Sequence, residues 1–102
     1  MYARVTTGQV QPGTVNDLMP FYESAAQQQK AMKGFVSTQL LIDPAANKWV
    51  VVTLFETLAD LEASETVSRQ TMADPRVAAA LAGTPAIAVY EVAARVTRAG
   101  NE

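Results

Sequence analysis

Lys48-Trp49-Val50-Val51-Val52-Thr53-Leu54-Phe55-Glu56 is the stretch that decides the fold. It is the longest β-like run in the chain. Alternation puts Trp49, Val51, Thr53 and Phe55 on one face and Val50, Val52, Leu54 and Glu56 on the other. Both faces are apolar until the end. A strand of that kind belongs in the middle of a sheet, with something packed on each side.

The neighbouring segments fall into place around it. Downstream, Thr57 followed three residues later by Asp60 is a helix start, and the helix is expected over 58–73. Upstream, Asp43-Pro44-Ala45-Ala46-Asn47 is rich in turn formers, so a strand over 35–42 pairs with 48–56 as a hairpin. Gly34 stands where a helix would end in positive φ. The preceding helix is expected over 15–32, opened by Thr14 as N-cap and kinked near Asn16–Pro20. Tyr2–Val10 reads as the first strand. Asp74-Pro75 is another helix start, with Gly83 as its stop and a last strand over 86–96. The order is strand, helix, strand, strand, helix, strand. The expected fold class is α+β, a ferredoxin-like βαββαβ domain with one four-stranded antiparallel sheet. Strands one and three lie centrally. Residues 1–97 form the single domain, and 98–102 are expected to be a flexible tail.

Composition narrows the chemistry. The 102 residues contain no Cys and no His. Disulfides, thiolate nucleophiles, Cys/His zinc sites, histidine-ligated haem and imidazole acid–base catalysis are therefore excluded. Eight basic and ten acidic residues give a net charge of -2, with no basic cluster, which argues against a nucleic-acid partner. No run is long enough to span a membrane. Met1-Tyr2-Ala3-Arg4 already reads as strand, so no signal peptide is expected and the cytoplasm is the default location. Charged residues make up 18% and hydrophobic ones 49% of the chain. That leaves few charges to cover the outside and favours burial of an apolar face in a partner. The sheet face away from the helices is the candidate, and a second copy is the simplest partner.

At Phe55-Glu56-Thr57-Leu58-Ala59-Asp60-Leu61-Glu62-Ala63-Ser64 the chain resembles the dimeric α/β-barrel proteins of the antibiotic-biosynthesis-monooxygenase type. Their third strand typically ends in an aromatic residue, usually Trp, before Glu-Ser and a helix containing Leu-Glu-Ala-His. Pro12-Gly13 before the first helix, Gly34-Phe35 opening the second strand, and Val89-Tyr90-Glu91-Val92 in the last strand also match. The resemblance implies a homodimer whose two sheets face each other, with any ligand between sheet and helices of each subunit. It implies two kinds of activity: oxygenation of phenolic or quinol compounds without metal or flavin, and haem degradation. Three departures fall where chemistry would sit. Phe55 replaces the Trp, Ser64 stands in the region of the His, and the first strand carries Tyr2-Ala3-Arg4 where haem degraders use Asn. Haem degradation is disfavoured on that ground, and no cofactor is expected.

The candidate ligand-binding residues are Arg4, Tyr22, Phe55, Arg69 and Tyr90. Arg4, on a central strand, pairs either with a ligand anion or with Glu56 or Glu91. Arg69 either favours an anion or is plain helix surface. Tyr22 and Tyr90 either orient a phenolate or are buried rings with a satisfied hydroxyl. Phe55 and Trp49 either line an aromatic cleft or belong to core and interface. The run Gln27-Gln28-Gln29-Lys30 reads as solvated helix surface, although Gln29 also falls on the apolar face of its helix. No catalytic residue is assigned. Two functions remain: a cofactor-independent monooxygenase acting on a small aromatic, or a non-catalytic homodimer of the same fold that binds a small molecule.

Overall fold

The computed structural model describes residues 1–101, with side chains described for residues 1–99. Strands β1 (Tyr2–Gln9), β2 (Phe35–Asp43), β3 (Lys48–Phe55) and β4 (Ala86–Glu91) form one antiparallel sheet in the order β2-β3-β1-β4. The two-faced stretch is central, as its pattern requires. Helices α1 (Met19–Lys30), α2 (Leu58–Ala63), α3 (Glu65–Ala73) and α4 (Pro75–Ala80) connect the strands. The fold is the expected ferredoxin-like α+β arrangement.

Register settles which side chains meet. Across the sheet, Thr38, Thr53 and Arg4 form one rung, Leu40, Val51 and Thr6 the next, and Ile42, Trp49 and Gly8 a third. Paired residues point to the same face, so these three rungs share the helix side. The core there gathers Val10, Val15, Leu18, Trp49 and Val77.

Two helix starts follow their caps. Thr57 Oγ1 accepts the Asp60 amide at 3.1 Å, and Asp74 Oδ1 accepts the Arg76 amide at 2.9 Å. The Arg76 side chain also hydrogen-bonds the Asp74 carboxylate, which holds that carboxyl below its usual range. Gly34 adopts φ +80, and a Cβ there would run into the Asp60 carboxylate. Its carbonyl also accepts the Glu56 amide at 2.8 Å, which ties the entry of β2 to the exit of β3. Gly34→Ala therefore combines left-handed strain with a clash. It is expected to lose about 1–3 kcal/mol of stability, read from chemical denaturation.

Elsewhere the structure departs from the sequence expectations. Thr14 is no side-chain cap. Its hydroxyl donates to the Gln11 carbonyl at 2.6 Å and to the Ala80 carbonyl at 3.4 Å, so its oxygen is turned away from the helix amides. The expected helix over 15–32 opens as a 3₁₀ turn, Val15–Leu18, and becomes α-helical only at Met19. Pro20 then sits in the first turn, where its missing donor costs nothing. The helix expected over 58–73 breaks at Ser64, whose backbone caps α2 and whose hydroxyl donates to the Leu61 carbonyl at 2.6 Å. The last helix stops at Ala80, before Gly83. There the chain turns into a bridge between Leu81 and Val10, with Gln11 N–H on the Ala80 carbonyl at 2.8 Å. β4 ends at Glu91 and not at Val96, because its partner β1 runs out. The last bond is Val92 N–H to the Met1 carbonyl at 2.9 Å. β5 (Val96–Thr97) pairs with β6 (Gly100–Asn101), which falls within the region expected as a tail, and Glu102 lies outside the described residues. Among the described residues, no helix is long and apolar enough to cross a membrane.

A candidate small-molecule cleft between sheet and helices

The helices do not seal against the three rungs. They leave a partly open cleft with about 70 Å³ of free interior volume. Its floor is Arg4 and Thr6 on β1, Trp49, Val51 and Thr53 on β3, and Thr38 and Leu40 on β2. Its roof comes from α1, through Phe21, Tyr22, Ala25, Ala26 and Gln29, and from α3, through Ser68, Thr71 and Met72. The lining is mainly apolar. It contains no carboxylate, so Arg4 is the only charged side chain in it.

Arg4 is 3% exposed. Neither Glu56 nor Glu91 pairs with it, which sets aside the ion-pair alternative. Its Nη2 donates to the Leu61 carbonyl at 2.8 Å and to Ser64 Oγ, and Nη1 reaches Ser68 Oγ at 3.5 Å. All these acceptors are neutral, and Nε has no partner among the described residues. Burial lowers the Arg4 pKa, and the nearby charge of Glu65 works against that shift. Guanidinium remains protonated in proteins, so a buried positive charge faces the cleft without an anion in contact.

Beside it runs a short chain of hydroxyls. Thr38 and Thr53 lie 3.0 Å apart, and Tyr22 donates to Thr38 over 3.4 Å. At the far end, Trp49 is 2% exposed, and its indole Nε1 is likewise unpartnered among the described residues. Gly8 makes room for that ring: a Cβ there would lie 2.9 Å from Nε1, Cε2 and Cζ2.

Of the residues expected at a ligand site, the fold brings Arg4 and Tyr22 to this cleft and not the other three. Phe55 is fully buried and packs edge-on against Phe35, with ring centroids 5.7 Å apart. Arg69 is on the outer surface of α3, 3.8 Å from Glu65. Tyr90 is 58% exposed, and its β1 partner is Ala3, so it belongs to the sheet face away from the helices. Sequence reasoning missed Gln29, Thr38 and Thr6. Gln29 is the one buried member of its polar run, and its place on the apolar face of α1 was the available signal. Thr38 and Thr6 gave no signal beyond alternation. Among the described residues, no three Asp or Glu side chains converge as metal ligands would.

Neither a protein-family model nor a curated protein matches this sequence. Solved structures do. NE2512, a protein of unknown function from Nitrosomonas europaea, is 24% identical with a TM-score of 0.77, and the match covers 97% of this chain and 95% of that one. A protein described as an antibiotic biosynthesis monooxygenase is 13% identical with a TM-score of 0.72, covering 90% and 98%. A mutant of MhuD, with two manganese protoporphyrin IX molecules bound per active site, is 20% identical with a TM-score of 0.75, covering 95% and 99%. At these identities the likeness establishes the fold, that of the antibiotic-biosynthesis-monooxygenase-like proteins, and leaves the chemistry to be argued from the cleft.

Proposed function

We propose that the protein is a cytoplasmic monooxygenase that takes a phenolic or quinol small molecule, as its anion, into this cleft and uses neither metal nor flavin. The observation that carries the reading is Arg4, a buried cation with no carboxylate in contact and one donor free, in an otherwise neutral apolar cleft. Such a charge stabilises a phenolate over its phenol, since an opposite charge nearby favours the ionised form. The phenolate is the electron-rich species. It gives one electron to dioxygen, and the two radicals combine to form a carbon–oxygen bond. The peroxide so formed, on a ring carbon that carries hydrogen, takes up a proton from water. Its O–O bond then breaks as that carbon gives up its hydrogen as a proton, which leaves one oxygen atom in the product as a carbonyl and the other in water, with the four electrons supplied by the substrate. The chain's part is to hold the anion at Arg4, orient it with the Tyr22–Thr38–Thr53 hydroxyls, and keep bulk water from it.

Oxygen uptake by the purified protein tests this, with a panel of phenols and quinols and no added metal or flavin. Turnover above the uncatalysed rate, lost in Arg4→Met, is expected. Uptake that is unchanged by the protein across the panel would sink the enzyme reading.

A second reading, a homodimer that binds a small molecule without turning it over, is favoured by two features of the cleft. It holds no side chain suited to act as a base near neutral pH. Its free interior of about 70 Å³ is also well below the roughly 150 Å³ of a cavity that takes up benzene, so only part of a ring enters as it stands. Saturable binding with no oxygen uptake would select this reading.

Both readings use a dimer formed through the sheet face that the helices leave bare. Val5, Val50, Val52 and Leu54 are half-buried there, while Leu41 and Tyr90 are exposed. A face this apolar on a chain this small supports burial against a second copy. Light scattering at micromolar concentration is expected to give twice the 10.9 kDa chain mass. A monomer stable at that concentration would refute it.

A further inference from the structure

Trp49 Nε1 is the second orphan of the cleft. Buried indole N–H groups ordinarily find an acceptor, and a buried donor without one is rare enough to need a reason. Packing fixes this one. The ring lies in the core cluster with Val10, Val15, Leu18 and Val77, and its Nε1 edge lies over Gly8, where any side chain would collide with it. The side chain is 2% exposed and lines the same cleft as Arg4.

The two orphans are set apart by the register. Arg4 shares a rung with Thr53 and Gly8 shares one with Trp49, four residues further along each strand. At roughly 3.3 Å per residue these rungs lie about 13 Å apart. The side chains between them on the floor are Thr6, Val51 and Leu40, which are apolar but for one hydroxyl. An occupant that meets both donors is therefore elongated, with an apolar middle, and larger than the roughly 70 Å³ now free, so the roof made by α1 and α3 must move outward to admit it.

We infer that Trp49 Nε1 is a ligand-binding donor, and that the cleft selects an elongated single-ring phenol whose end opposite the phenolate carries a neutral oxygen acceptor such as a carbonyl. The phenolate end of this inference rests on the reading of Arg4 given above. The Trp49 end rests on its own geometry. Trp49 is thus a specificity-determining residue, and Gly8 a positioning residue that lets the indole lie flat.

Three probes separate the two ends: phenol, 4-hydroxyacetophenone and acetophenone, titrated into the wild-type protein by calorimetry. The chain's single Trp reports in parallel, because its emission moves to the red when the indole N–H acquires an acceptor. 4-Hydroxyacetophenone is expected to bind about tenfold more tightly than phenol, with every affinity expressed per phenolate because the para carbonyl makes that phenol the more acidic; the tenfold is the advantage of one hydrogen bond to an otherwise unpaired donor. It alone of the two phenols is expected to shift the emission. In Trp49→Phe, shown to be folded by its thermal melt, the two should bind within about twofold of each other. Equal affinities for the wild type, with no emission shift, would mean that a water alone meets Nε1, and would overturn the inference while leaving the Arg4 reading intact. Tight binding of acetophenone with an emission shift, and none of phenol, would keep Trp49 and overturn Arg4. No binding by any of the three would overturn both. A preference retained in Trp49→Phe would also refute the role of Trp49. Should that variant fail to fold, the wild-type comparison and the emission shift decide by themselves.

Discussion

Arg4→Met is expected to melt at or above the temperature of the parent chain while binding phenolates about ten- to a hundredfold more weakly, the range of a hydrogen bond to a charged group. The two halves of the result have separate causes. Stability holds because the guanidinium is a buried charge whose nearby countercharge, Glu65, is not in contact with it, and removing such a charge in favour of an apolar side chain of similar length is often neutral or favourable. Its two buried hydrogen-bond partners are not stranded, and the third, Ser68, is only half-buried and held by a long contact. The Leu61 carbonyl keeps the Ser64 hydroxyl and amide as donors, and Ser64 Oγ remains engaged through that bond. Affinity falls because nothing else in the cleft carries positive charge. Arg4→Lys keeps a charge but not the fork of donors, and should fall between the two. The opposite pattern, several kcal/mol of lost stability with affinity intact, would make Arg4 a pin for the junction of α2 and α3 and remove the basis of the proposed function.

What could be read beforehand was whatever is specified locally. The alternation of β3 gave its central place, because both of its faces must be covered. The caps at Thr57 and Asp74 and the turn at Gly34 depend on residues three or fewer positions away or on a single φ angle, and each stands where it was expected. Thr14 has the same local credentials and fails, because its hydroxyl turns back to the Gln11 carbonyl and toward a carbonyl from α4, at Ala80, across the fold. The break at Ser64 was hidden for the same reason. Nothing in 58–73 forbids one continuous helix, but Ser64 lies against the guanidinium of Arg4, 60 residues away in the chain. The early end of β4 follows from where β1 ends, which strand composition does not express. In the cleft, Arg4 was conspicuous because a charge on a central strand demands a partner. Thr6, Thr38 and Gln29 are ordinary residues made notable only by the register that assembles them. Phe55, Arg69 and Tyr90 drew notice by residue type, and residue type does not say which side of a wall a side chain occupies.

Phe55→Ala brings that distinction to measurement, and its effect on stability is expected to be the largest of any single substitution considered. The ring is fully buried and meets Phe35 edge-on at 5.7 Å, on the rung that closes the end of β3 beside Tyr2. Truncation removes the ring's burial and leaves a cavity that rigid strands cannot collapse into. A loss of about 3–5 kcal/mol is expected, which for a domain of this length lowers the melting temperature by roughly 15–30 °C. Wild type and variant must be compared at equal concentration, because dissociation would add its own term. Since Phe55 does not line the cleft, the folded fraction should bind a phenol with unchanged affinity at low temperature. An affinity loss of tenfold or more without the fall in stability would instead place Phe55 against the ligand. The site would then extend past Thr53 to the end of β3 and the capped start of α2.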